Sequence, residues 1–516
     1  MGKALYVRGR VYTGDWQGEA VTDGLWVEDG VVRATGAEAR ARAADGPCEA
    51  IELGPDEAAV PGFWDSHIHL ADYGFSLDEV QLYDLRDGAA VAERLASALA
   101  AGKVAADGPV LGRGWTVGQW QGPPPHQGQL APLGDRPAVL WNHDYHSVWV
   151  NATALRLAGI DRDTPDPAGG RIERDADGQP SGILRDSAAH LVQGLMPQAT
   201  AERLERAILR AQAALLALGV TAVCVMATME GHADAVRALV RLANAGRLRL
   251  RVALYLPAGK IEALEALGLG TGLGDDRVWL AGVKAFMDGS LGSQTAWMRE
   301  PYHEVGGTGI AMPFAQDLDR HLARVRAAGL RLALHAIGDR AVGEAVRALG
   351  SGTPAAGLDR IEHAQLVPPD ILAAWPGERL AASMQPIHLT DDIDLTARFW
   401  GSDRGRHVFP LASLMARGVP LLFGSDAPVS DPDPMRGLWA AVERRRPGGA
   451  AVEPAEALTP AQALQAYAAT PARIEGRPHL GRLTPGSPLA MAVLSGDPVA
   501  HPECLLDLRV VRVETA

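Results

Sequence analysis

The chain has 516 residues, 47% apolar and 22% charged, a balance that excludes a disordered chain and fits a large globular enzyme. Its 49 Lys and Arg against 62 Asp and Glu leave a net charge of −13 with no basic block, so neither nucleic acid nor an anionic membrane is an expected partner. Cys48, Cys224 and Cys504 are too far apart for a disulfide framework or a paired zinc motif.

The opening residues, MGKALYVRGRVYTGD, carry no apolar core with a cleavage site, and a cytoplasmic location is the expectation. Residues 1–57 then alternate in short runs broken by Gly and Asp, the pattern of small antiparallel strands. The tail, GRLTPGSPLAMAVLSGDP followed by LLDLRVVRVE, repeats that pattern. Both ends together, 1–57 and 477–516, predict one composite β-sandwich domain.

Between them the period changes. Apolar strand candidates lie near 59–66, 219–226, 248–256, 278–286, 330–335, 358–362, 380–384 and 419–424, most of them separated by amphipathic helical stretches. Eight short buried strands alternating with helices predict an α/β fold, a distorted (β/α)8 TIM barrel over 58–476. The count requires residues 71–200, rich in Gly, Pro, Trp and His, to be an insertion after the first barrel strand. The apolar stretch AALLALGVTAVCVMATM at 213–229 is divided by Gly219 into a helix end and a strand, so no membrane span is expected.

Chemistry gathers at the predicted strand ends. In PGFWDSHIHL, His67 and His69 stand two apart, so both imidazoles leave one face of an extended strand and can bind one divalent cation. His335 in LHAIGDRA, His363 in RIEHAQ and Asp426 in GSDAPV close three later strands, at the barrel face where catalytic groups are placed. Each alone has an ordinary structural explanation; together they predict a metal site. Lys284 lies inside the apolar run VWLAGVKAFMDGS, and a lysine there is either paired structurally or has chemistry to perform. GLGTGLGD at 268–275 precedes a strand instead of opening a helix and is read as a turn, not a phosphate loop.

These motifs, with GRGW, WVNATALRLAGI, VKAFMDGSLGS and SMQPIH, give the chain a resemblance to the amidohydrolase superfamily over essentially its whole length. It is most similar to the family 3 branch that includes N-substituted formamide deformylase. The resemblance implies that His67, His69 and Asp426 bind one divalent metal, with zinc expected. His335 and His363 hold a second metal, or a metal and the substrate, and Lys284 falls where the family has a lysine that CO2 can carboxylate. A carbamate bridges two cations where an ammonium repels them; an unmodified lysine points to one metal.

The implied reaction is hydrolysis of a non-peptide C–N bond, of amide or N-formyl type, by hydroxide formed on the metal, with Asp426 moving the proton. A deaminase or cyclic-amide hydrolase on the same site is the alternative, and a metal-binding protein that no longer turns over is the reading from another class. Trp115, His146, Asp288 and His388 are the expected substrate contacts, with core packing the equal alternative for Trp115, a capping or core role for His146, and support of the ligands for Asp288 and His388. A small-molecule substrate is the expected partner, and a homodimer is admitted.

Overall fold

A computed structural model describes the chain except residues 1–3, 17–19, 84, 105–107, 118–119, 144–146, 168–169, 228–231, 305 and 352–356. Eight strands follow one another in parallel: Phe63–Ile68, Val220–Met226, Arg251–Pro257, Val278–Phe286, Leu332–Ala336, Arg360–His363, Ala381–Met384 and Leu421–Phe423. The eighth meets the first through a parallel bridge between Ile68 and Ala427. Asp426 N donates to His67 O at 2.7 Å and His69 N to Ala427 O at 2.9 Å. The barrel therefore closes at the two segments that carry His67, His69 and Asp426. Val220–Met226 is buried along its whole length, as strands covered on both faces must be. In the helix Leu318–Ala327, the buried residues Leu318, Leu322 and Val325 repeat at helical spacing on one face.

The run expected as one strand at 59–66 is two. Ala58–Pro61 joins a second sheet, and Phe63–Ile68 opens the barrel. The division falls at Gly62, where a Cβ would stand 2.3 Å from the Thr221 hydroxyl oxygen. Apolar composition continues through that point, and only the close approach of another strand marks the change of sheet.

The second sheet has seven strands drawn from both termini. Its path runs Val510–Thr515, Ala490–Leu494, Ala58–Pro61, Ala4–Tyr12, Val21–Glu28 and Val31–Thr35, with Glu49–Glu52 also paired to Ala4–Tyr12. Val7, Val11, Leu25, Val27 and Val32 from the N-terminal side pack with Met491 and Val493 from the C-terminal side. One helix, Gly36–Asp45, interrupts the strand pattern expected over 1–57. Its sequence, GAEARARAAD, is mostly Ala, Arg and Glu, all strong helix formers.

Ala71–Ala207 is a compact unit of its own. It holds a six-stranded sheet in the order Gly170–Arg174, Pro180–Asp186, Ser147–Val150, Ala138–Asn142, Val110–Trp115 and Val80–Gln81. Trp115 belongs to this unit's core with Leu95, Leu130, Leu140 and Trp149. Its indole N–H donates to Leu140 O at 2.8 Å, and its ring meets Trp149 edge-on at 6.0 Å. The expected substrate contact at Trp115 is thus corrected to a core position, because a side chain 2% exposed has its surface and its one donor already engaged. Trp115→Ala is expected to destabilise this unit by about 3–5 kcal/mol, read from a denaturant melt, as for other deleted core aromatics.

Candidate metal centre

His67 ends the first barrel strand and His69 follows it. Their Nε2 atoms lie 3.5 and 3.3 Å from the same oxygen, Oδ1 of Asp426. That oxygen is sealed from solvent with no well-aligned hydrogen-bond donor among the described residues. The strand end is pinned by Asp65, whose Oδ1 accepts from His67 N at 3.1 Å and from Ser425 N at 3.0 Å. Gly424 permits this closure: a Cβ there would meet His67 N at 2.6 Å and the Asp65 carboxylate at 2.8 Å.

His363 and Asp426 both adopt left-handed backbone, with φ of 68° and 60°. Non-glycine residues hold that conformation only where their surroundings impose it, and such positions concentrate at functional sites. The turn carries His363 out of its strand toward the other imidazoles, with ring centroids 4.9 Å from His67 and 4.5 Å from His335.

Each imidazole is anchored through one nitrogen. His67 Nδ1 bonds Glu362 Oε2 at 2.5 Å, His69 Nδ1 bonds Met226 O at 3.1 Å, and His363 Nδ1 bonds Gln385 Oε1 at 2.8 Å. His335 is reversed: its Nε2 bonds Gly289 O at 3.0 Å, so Nδ1 is the nitrogen left to accept a bond. A histidine that donates through one nitrogen presents a lone pair on the other, the arrangement of metal-binding imidazoles. Burial, and then the charge of Lys284, pushes His67 down to about 4 and His335 down to about 3. Burial also holds His363 well below the ordinary range. These three rings are therefore neutral near pH 7, as a metal requires.

Lys284 is buried, and its Nζ has no hydrogen-bond partner among the described residues. The amine lies 5.0 Å from the centre of the Phe286 ring. Burial lowers it to about 8, which brings the neutral amine within reach at physiological pH.

Ligand atoms converge in two groups, each within 4.8 Å: His67, His69 and Asp426, and His363, His388 and Asp426. His388, expected as a substrate contact, thus joins the donors able to hold a cation; its ring stacks on His363 at 6.2 Å and 10°. Sealed Asp426 Oδ1, unpartnered Lys284 Nζ and neutral imidazoles with fixed tautomers suit a divalent cation. Asp288 is not open to a substrate. Its carboxylate is fully buried and accepts from Trp297 N at 2.8 Å, Gly338 N at 2.8 Å and Ile337 N at 3.1 Å. It fastens the turn after the His335 strand, with Oδ1 3.4 Å from His335 Nε2. His146 lies outside the described residues.

Glu362 and Gln385, which orient two of the rings, escaped the sequence reading. A signal for Glu362 was available: in RIEH, Arg360 and Glu362 place two charges on one face of a buried strand, the kind of anomaly that singled out Lys284.

A family model described as "Amidohydrolase family" matches residues 56–513. YtcJ of Bacillus subtilis (strain 168), whose name places it among the amidohydrolases, is 29% identical over 531 residues, covering 99% of this chain and 97% of its own. N-substituted formamide deformylase of Arthrobacter pascens is 28% identical over 537 residues, covering 94% and 92%. A solved metal-dependent hydrolase of Pyrococcus horikoshii superposes with a TM-score of 0.78 at 28% identity, over 96% of this chain and 98% of that one.

Proposed function

The chain belongs to the amidohydrolase family of hydrolases, and from that premise we propose that it cleaves a non-peptide C–N bond, of amide or N-formyl type, in a small molecule. The observation that carries this reading is the convergence of His67 Nε2 and His69 Nε2 on the sealed Oδ1 of Asp426 at 3.5 and 3.3 Å. The named activity of the Arthrobacter pascens relative supports N-formyl amines as the first class to test.

In this reading His67, His69 and Asp426 hold one divalent cation, with zinc favoured by a nitrogen-rich donor set. His335 and His363 contribute two neutral donors to a second seat, with His388 as a further candidate. That seat needs an anion, which CO2 added to neutral Lys284 supplies, the amine losing one proton as the carbamate forms. When bound, the cation polarises the scissile carbonyl and makes water acidic. Asp426 then takes the proton of the attacking water and delivers it to the departing amine. Glu362, Met226 O, Gln385 and Gly289 O hold the rings so that no imidazole has to turn during the reaction.

Elemental analysis of the purified chain is expected to give about one to two divalent ions, zinc foremost. A folded, active, metal-free chain would overturn this centre. A screen of N-formyl amines, N-acyl amines and lactams with zinc added is expected to release amine from an amide. Ammonia release from aminated heterocycles, with every amide inert, would replace the proposal by a deaminase.

A further inference from the structure

Three of the four barrel imidazoles donate their anchoring bond to a neutral acceptor: Met226 O, Gln385 Oε1 and Gly289 O. His67 donates its bond to a carboxylate, that of Glu362, at 2.5 Å. We propose that Glu362 is a positioning residue for the metal ligand His67, held in place by a buried ladder of alternating charges, Arg360, Glu475 and Arg331, inside the barrel. The inference rests on His67 being a ligand, as read above.

Arg360 and Glu362 are both completely buried. The Arg360 guanidinium grips the neighbourhood of His67 twice: Nε donates to Glu362 Oε1, and Nη2 donates to the carbonyl of Ser66, the residue before His67. Its Nη1 donates to Glu475 Oε1 at 2.9 Å. Glu475 lies just beyond the helix Ala469–Ile474 and also accepts from Arg331 Nη2 at 2.7 Å and the Tyr255 hydroxyl at 2.8 Å. Arg331 in turn donates through Nε to Ala281 O at 2.9 Å. In order, Arg331, Glu475, Arg360 and Glu362 alternate in sign, so each buried charge has an opposite neighbour.

Packing alone does not call for this ladder. Buried ion networks are commonly no more stabilising than apolar residues of similar volume. The surrounding cluster is built mainly of small and aromatic side chains, with Met226 and Leu480 the exceptions; Ala222, Ala253, Ala281 and Ala333 leave volume for two guanidiniums. What the ladder adds is a fixed negative oxygen at His67 Nδ1. That oxygen selects the tautomer whose Nε2 lone pair faces Asp426 and raises the basicity of the ring as a ligand.

The test is zinc affinity of the full chain, measured by titrating metal-free protein with zinc against a chromophoric chelator. Glu362→Gln keeps the shape, but its amide cannot accept from both Arg360 and His67. It is expected to weaken zinc binding about 10- to 100-fold, the usual cost of losing such a support, and to shift the visible spectrum of the cobalt(II)-loaded protein. Glu362→Asp keeps the charge beside Arg360 while drawing back from His67; it is expected to fall between the two, and it decides the matter if the Gln variant does not fold. A folded variant whose metal-free melting temperature drops while zinc affinity and the cobalt spectrum match the unmodified chain would reduce Glu362 to a structural role and overturn the inference. If the unmodified chain itself fails to bind zinc, the metal-centre reading falls, and this inference with it.

Discussion

Asp426→Asn is expected to lower kcat by about 10³-fold, within the range contributed by a positioned acid–base group, while the folded chain survives. Asparagine matches aspartate in size but cannot take up a proton at neutral pH, so the proton transfer assigned to Asp426 loses its acceptor. The backbone tolerates the change as well. Asp426 sits at φ 60°, and asparagine is among the few side chains that accept the left-handed region readily. The hydrogen bond from Asp426 N to His67 O, which helps close the barrel, belongs to the main chain and is retained. Circular dichroism and melting temperature therefore stay close to those of the unmodified chain as turnover collapses. Unchanged turnover would remove Asp426 from its assigned role.

Lys284→Met separates chemistry from stability at the second position. Turnover is expected to fall about 10²-fold or more, on the scale of losing a group that stabilises developing charge, and a chain that holds two ions is expected to keep one. The fold, by contrast, is expected to hold or gain stability. In the metal-free, uncarboxylated folded chain the Lys284 amine is lowered to about 8 from its ordinary 10.5, because burial disfavours the ammonium. Between those values the unfolded chain binds more protons, so stability rises with pH across that window. Below about pH 8 the full cost of the buried charge is present, and methionine removes it at similar volume. A less active but more stable variant is the signature of a residue kept for function. Full activity with two bound metals would return Lys284 to a structural role.

The site was legible in the sequence where chemistry is written into one short segment. His67 and His69 are two apart on one strand, and His335, His363 and Asp426 each follow an apolar run, so strand ends and ligand types could be read together. Trp115 as a pocket residue and Asp288 as a substrate contact, though not Asp288 as a support for the ligands, failed for one reason: a polar or aromatic residue near a strand end looks the same whether it faces a pocket or its own core. Only the indole bond to Leu140 O and the three main-chain amides on Asp288 distinguish the cases. His388, read as a substrate contact or a support, sits on the short helix Pro386–Asp391, and only the fold stacks its ring against that of His363.

By itself, the sequence determined the alternation of strands and helices, the pairing of both termini in one β domain and the residue types that a divalent cation requires. Those properties are periodic or local, and side-chain chemistry states them directly. Tertiary structure alone decided which nitrogen of each histidine is free, which carboxylates serve the centre and which are spent on main-chain amides. Those outcomes depend on contacts between residues such as His67 and Glu362, 295 positions apart. A proton's place on an imidazole is set by the acceptor that meets it, and barrel closure determines that acceptor.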